Sequence, residues 1–112
     1  MTLRDQLTDA QRDVLLQRIV GALAESGVPY TLREGLVRYF EHGILPGGFL
    51  QAVLCNNLRE AIVRGNPGSL FALPALVEFL QWQAPAIAWG SAARVLAWTT
   101  TPDRLEIETE TP

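Results

Sequence analysis

The sequence has a single cysteine, a single histidine and no lysine among its 112 residues. A lone Cys55 leaves no partner for an intramolecular disulfide and no cysteine cluster for a zinc site. Cys55 and His42 are the one pair that suggests a nucleophile with a base, but a free cysteine inside a helix usually behaves as a small hydrophobe. Since no HExxH or P-loop motif occurs either, we expect a noncatalytic protein without a metal or cofactor.

Long hydrophobic runs and a net positive charge are also lacking. No apolar stretch approaches the roughly eighteen residues that span a bilayer, and the N-terminal MTLRDQLTDAQRD is too polar for a signal peptide. The net charge is −3, and residues 103–112 account for all of it, so residues 1–102 are neutral. Without a positive field, binding to duplex nucleic acid is disfavoured. The sequence therefore predicts a cytoplasmic protein that binds neither membranes nor duplex DNA or RNA.

What the sequence does contain is a series of apolar residues at helical spacing, without the sustained alternation typical of strands. We predict an all-α fold, a compact bundle of four to five short helices. Residues 1–102 form its single helical domain and residues 103–112 a mobile, disordered acidic tail. Capping boxes at Thr8–Gln11 and Thr31–Glu34 predict the first two helix starts. The predicted helices cover 8–27, 31–42 and 49–64, continue from Asn66 with a bend or split at Pro74, and end with 91–98.

The third predicted helix turns one apolar face inward, formed by Leu50, Val53, Leu54, Leu58, Ala61 and Ile62. Asn57 falls on the same face, and a buried amide needs hydrogen-bond partners. Three partners are open: the backbone of a neighbouring loop, a ligand, or a helix of another subunit.

Three predicted helix starts are rich in small residues: Gly47–Gly48, Gly68–Ser69 and Gly90–Ser91. Unpaired amides and the positive end of the helix dipole favour phosphate or carboxylate groups at such starts. Nearby side chains would add charge and stacking surfaces, namely Arg59, Arg64, Arg94, Trp82 and Trp89. The hypothesised site for a small anionic ligand consists of Gly47, Gly48, Asn56, Arg64, Trp89, Gly90 and Ser91.

A purely structural explanation of the same residues stands beside this one. Glycine and serine at helix ends are also what short connections in any helical bundle require. Tryptophan is likewise more often a core or interface residue than a platform for a ligand. The glycine pair Gly47–Gly48 therefore becomes a ligand site only if Arg64, Trp89 and the Gly90–Ser91 turn converge on it.

The strings YFEHGILPGGFLQAVLCNNLREAIVRGN and LVEFLQWQAPAIAWGS resemble a group of short phage and prophage proteins without an assigned function. The resemblance covers roughly residues 36–98 and consists of a tyrosine-containing helix, a PGGFL turn, an AVL helix with Asn56, and a WGS helix start. Asn57 departs from the group, which has an acidic residue there. The resemblance implies a context in which small accessory proteins bind host factors or sequester a host signalling molecule, and rarely catalyse.

Two functional hypotheses follow. The first is a noncatalytic, homo-oligomeric phage-type accessory protein that sequesters a small anionic, nucleotide-like ligand, for instance a host immune signal. The alternative is a protein-interaction module that masks a host protein through an apolar helical face, with the glycines serving only the fold. In both, a phage-encoded chain would act in the host cell cytoplasm.

Overall fold

The computed structural model describes residues 2–106, which form seven α-helices and three short 3₁₀ helices. The α-helices are α1 (Asp9–Glu25), α2 (Tyr30–His42), α3 (Gly48–Leu54), α4 (Leu58–Arg64), α5 (Pro67–Phe71), α6 (Leu73–Gln83) and α7 (Ala92–Trp98). The 3₁₀ helices are Arg4–Gln6, Ala86–Ala88 and Pro102–Arg104. No strand occurs within residues 2–106, so the predicted all-α class is confirmed. There are more helices than the four to five predicted because two predicted helices are each divided.

The core lies where α2 and α3 meet α1, α6 and α7. α1 packs against α2 and α6, and α3 packs against α2 and α4. The largest buried side chains are Trp98, Tyr39 and Phe40. The Trp98 indole donates a 3.0 Å hydrogen bond to the Tyr39 carbonyl, and the Tyr39 hydroxyl donates one of 2.6 Å to the Ala88 carbonyl. These buried polar groups are therefore satisfied, while burial of each large side chain contributes about 1.5–3 kcal/mol.

Several helix starts are where local sequence signals place them. Thr8 and Gln11 form the predicted capping box at the start of α1. The Ser91 hydroxyl accepts a 3.2 Å hydrogen bond from the Arg94 amide at the start of α7. Pro74 lies in the first turn of α6, where its missing amide donor is not needed, and the predicted helix is split into α5 and α6 as expected.

The capping box predicted at Thr31–Glu34 is wrong. α2 begins one residue earlier, at Tyr30, and no side chain caps it. The carbonyl of Pro29 accepts a hydrogen bond from the Leu32 amide, so the first hydrogen-bonded turn begins at Pro29, before Thr31. Glu34 instead pairs with Arg38 one turn later on the same helix.

The single helix predicted over 49–64 is also wrong, because the chain turns at Asn56 and Asn57. Asn56 has a left-handed backbone with φ of 58°, a conformation that asparagine adopts more readily than most residues. The Asn57 side chain then accepts a 3.1 Å hydrogen bond from the Glu60 amide and caps α4. The hydrogen-bond partner of the Asn57 side chain is therefore the backbone of the first turn of α4.

The start of the predicted acidic tail, residues 103–106, lies against the core. Thr99 and Thr101 fix the chain to the loop after α2, where the Thr99 hydroxyl donates a 2.6 Å hydrogen bond to the Gly43 carbonyl. The buried Gln51 side chain bonds the backbone of Arg104 and Glu106. Residues 103–106 of the predicted tail thus contact the core, residues 107–112 lie outside the described part of the chain, and the disorder of the tail stays a prediction.

Candidate functional site

Gly47, Gly48 and Arg64 lie together at the start of α3. Gly47 is the residue before the first turn, with an extended backbone. A Cβ atom on Gly48 would lie 2.9 Å from Arg64 Nη1, so the guanidinium passes directly over this glycine. Arg64 also donates a 2.9 Å hydrogen bond to the Glu60 carboxylate one turn earlier on α4. Glycine at position 48 therefore makes room for the arginine, and the arginine is already paired.

Trp89, Gly90 and Ser91 lie at the opposite end of α3. The Gly90 amide donates a 2.7 Å hydrogen bond to the carbonyl of Leu54, the last residue of α3. Seven helical residues rise about 10 Å, so this turn is separated from the glycine pair by the length of α3. The seven residues of the hypothesised site therefore form two groups and do not converge on Gly47–Gly48.

The polar groups in and around the WGS turn already form hydrogen bonds within the protein. The Ser91 hydroxyl caps α7, and Arg94 Nη1 donates to the carbonyls of Ala86 and Trp89 at 3.2 and 3.4 Å. Ser69, at the start of α5, is likewise part of a capping box with Asn66. These starts therefore support the structural explanation of their small residues.

Asn56 and Trp89 contribute instead to a narrow apolar groove between α4 and α6, with a volume of about 50 Å³. Its lining residues are Val53, Asn56, Asn57, Leu58, Ala61, Leu73, Val77 and Trp89. Ala61 and Val53 are buried, while Leu58 and Val77 are 68% and 47% exposed. We call this feature the α4–α6 groove.

Leu58, on the rim of the α4–α6 groove, was predicted to face the core together with Ile62. Both have helical spacing with buried residues, yet Leu58 is 68% exposed and Ile62 is 49% exposed. The turn at Asn56–Asn57 starts α4 in a new direction, so that only Ala61 of this helix is fully buried. Sequence periodicity could not reveal this apolar surface because it assumed one continuous helix.

A second, more open cleft of about 450 Å³ lies between α2 and the start of α3. Gly47 and Gly48 line it together with Arg38 and Arg104, two arginines that the sequence did not single out. Glu34 lines the same cleft and pairs with Arg38, which offsets part of the positive charge. No local motif connects residues 38 and 104, since only the tertiary fold brings them to one place. We call this feature the α2–α3 cleft.

The Cys55 and His42 pair gains no support as a nucleophile and base. Cys55 is 7% exposed, and burial raises the pKa of its thiol to about 11. The thiol is therefore protonated near neutral pH, where a nucleophilic cysteine needs its thiolate. His42 is exposed and lies 3.5 Å from the Glu41 carboxylate.

Two further properties concern the described residues as a whole. Within 2–106, no three histidine, cysteine or acidic side chains lie close enough to hold a metal ion. Over the same residues, every helix is too short or too polar to cross a membrane.

Comparison with protein-family models, curated proteins and solved structures finds no match to this chain. The resemblance to short phage proteins therefore depends on the quoted motifs alone, and any function must be argued from the two surface features above.

Proposed function

We propose that this chain is a noncatalytic interaction protein that receives an apolar helix of a partner in the α4–α6 groove. The observation that carries the proposal is the exposure of Leu58 and Val77 on either side of a groove whose floor is apolar. An amphipathic helix inserts side chains spaced three or four residues apart into such a groove. In the phage context implied by the sequence resemblance, the partner would be a host protein.

The size of the groove favours a side chain over a small molecule. About 50 Å³ accommodates an aliphatic side chain, whereas ligand pockets are typically several hundred Å³. Trp89, which lines the groove, offers a large apolar contact surface. Leu58 and Ile62, one turn apart on α4, extend the apolar rim along the helix. A second copy of the chain satisfies the same chemistry, which is how the predicted homo-oligomer would form.

The proposal is tested by placing a photo-crosslinking residue at position 62 and identifying what it captures, in cells and with the purified chain. Leu58→Arg should abolish the crosslinked product because it places a charge on the groove rim. Val14→Arg is the matched control, since Val14 is 66% exposed on α1 and does not line the groove. Products that form equally in both variants would contradict the proposal. The mass of the product distinguishes a second copy from another protein.

The α2–α3 cleft supports a second candidate, the binding of a small anionic, nucleotide-like ligand. Arg38 and Arg104 line this cleft beside Gly48, over which Arg64 lies, and Phe49 adds an aromatic ring. Nucleotides that bind the native state should raise the midpoint of thermal unfolding. Arg38→Ala should remove this shift, while Arg59→Ala, an exposed arginine outside the cleft, should retain it. If no linear or cyclic nucleotide shifts the midpoint, this candidate fails.

A further inference from the structure

Residues 102–106, the 3₁₀ helix Pro102–Arg104 followed by Leu105 and Glu106, cross the start of α3, and we call them the C-terminal strap. The strap is held by the Gln51 side chain, which is only 2% exposed. Gln51 Nε2 donates a 3.1 Å hydrogen bond to the Arg104 carbonyl, and Gln51 Oε1 accepts one of 2.8 Å from the Glu106 amide. One amide thus pairs with the backbone on both sides of Leu105, as a neighbouring strand does in a parallel sheet.

Leu105 supplies the apolar part of the same attachment. Its side chain is half-buried against the hydrophobic core and its backbone is extended, with ψ of 118°. The other strap residues, Pro102, Asp103, Arg104 and Glu106, are exposed. Backbone pairing together with a pocket for one side chain is the mode in which many proteins bind extended peptides.

The strap forms fewer hydrogen bonds with the rest of the protein than the residues before it do. Thr99 and Thr101 are fixed by hydrogen bonds to the backbone of Gly43 and Leu45 at 2.6 and 3.0 Å. Beyond Thr101, the described strap residues receive hydrogen bonds from elsewhere in the protein only through Gln51. The strap can therefore leave as a unit while residues up to Thr101 stay in place.

Departure of the strap would leave an incomplete site. Gln51 Nε2 would keep its 2.9 Å hydrogen bond to the Pro46 carbonyl. Gln51 Oε1 would lose the Glu106 amide, and the Nε2 group would lose the Arg104 carbonyl. Gln51 would then present one acceptor and one donor to the backbone of another peptide.

The charge beside the strap adds a preference for the residue after the leucine. Glu106 Oε2 lies 3.5 Å from the position of a Cβ atom on Gly48, and Arg64 Nη1 lies 2.9 Å from that same position. The carboxylate and the guanidinium therefore lie near the same glycine, while the ion pair of Arg64 among the described residues is with Glu60. A peptide with leucine followed by an acidic residue fits both the pocket and the charge.

We propose that Gln51 and the pocket of Leu105 form a binding site for an extended peptide of a partner protein, with a leucine followed by an acidic residue. The C-terminal strap occupies this site as an intramolecular ligand, and the partner peptide displaces it. Because the strap is tethered at Thr101, it competes at a high effective concentration, and the free chain keeps the site closed.

The test uses the full chain and a fluorescent peptide with the sequence of residues 101–106, TPDRLE. Glu106→Pro removes the backbone donor to Gln51 Oε1 and should open the site, whereas Glu106→Ala keeps that donor. Fluorescence anisotropy should give at least tenfold tighter peptide binding for Glu106→Pro than for the wild type or Glu106→Ala. A peptide with aspartate in place of its leucine should not bind.

Adding Gln51→Ala to the Glu106→Pro chain should reduce peptide binding at least tenfold. Leu105→Asp is a second opening variant, and it decides the question if Glu106→Pro does not fold by circular dichroism. Equal peptide binding by the opened and wild-type chains would overturn the proposal, as would binding that does not depend on Gln51. If neither opened variant folds, the strap is part of the core and the proposal is wrong.

Discussion

The Gly90 amide donates a 2.7 Å hydrogen bond to the Leu54 carbonyl and thereby joins the WGS turn to the end of α3. This bond places Trp89 and Ser91 at the far end of α3 from the glycine pair Gly47–Gly48. The two small-residue turns therefore lie at opposite ends of one buried helix and do not form one convergent site. What remains on each side is a separate surface, the α2–α3 cleft and the α4–α6 groove.

Gly90→Ala should destabilise the protein. The Gly90 φ of 108° is one that side chains rarely adopt, and an added Cβ would lie 3.1 Å from Arg94 Nη1. We expect a loss of about 1–3 kcal/mol in the free energy of unfolding, measured by urea denaturation. Gly21→Ala is the control, because its Cβ would meet nothing within 4 Å in the middle of α1. That substitution should instead stabilise by about 0.5–1 kcal/mol. Equal stability of the two variants would contradict the backbone conformation described for Gly90.

Asn57→Ala should weaken the start of α4. The Asn57 side chain accepts the Glu60 amide at 3.1 Å, and loss of such a cap costs about 0.5–2 kcal/mol. Asn57→Asp should retain full stability, since aspartate caps helices as well as asparagine does. Thermal unfolding of the two variants makes the comparison, and a destabilised Asn57→Asp would refute the capping role.

The fold was predictable where a single local interaction decides it. Thr8, Ser91 and Pro74 act within one helical turn, so their effects on α1, α7 and α6 could be deduced from sequence. The break between α3 and α4 was also signalled, because Asn57 with Glu60 three residues later is a capping pattern. Periodicity alone nevertheless predicts one helix here, because the helical spacing of apolar residues continues across the break.

The candidate surfaces could not be predicted in the same way. The α2–α3 cleft brings together Arg38 and Arg104, which lie far apart in sequence, and the rim of the α4–α6 groove depends on the new direction of α4. The acidic charge of residues 103–112 predicts a disordered tail, and residues 103–106 of the strap are part of it. One buried side chain, Gln51, determines its position, and Gln51 lies in the middle of a helix whose other residues are apolar.

Cys55 should make stability depend on pH in the alkaline range. Burial raises the pKa of the folded thiol to about 11 from an ordinary value of 9.0, so the folded state holds its proton where the unfolded state loses it. The contribution of Cys55 is therefore fully present below pH 9 and decreases as the pH rises from 9 to 11. Guanidinium unfolding at pH 8 and pH 10 measures this.

Cys55→Ala is the control for that measurement, because Tyr39 is buried beside the same core and also titrates at high pH. The wild type should lose more stability than Cys55→Ala between the two pH values. The thiol should also react slowly with iodoacetamide at pH 7.5. Rapid reaction at that pH, or identical pH profiles for the two proteins, would show that the thiol is not buried as described.

Trp98→Phe should be the most destabilising of these conservative changes. Trp98 is fully buried, and its indole donates a 3.0 Å hydrogen bond to the Tyr39 carbonyl. Phenylalanine removes that donor and opens a void where the larger ring packs, while the Tyr39 carbonyl keeps its 2.8 Å hydrogen bond from the Gly43 amide. We expect a loss of about 2–4 kcal/mol, which combines one lost buried hydrogen bond with a cavity. Trp82→Phe, at a position that is 69% exposed, should change stability by less than about 0.5 kcal/mol. Urea denaturation of both variants, followed by far-UV circular dichroism, distinguishes the two tryptophans, and similar losses would contradict the placement of Trp98 at the centre of the core.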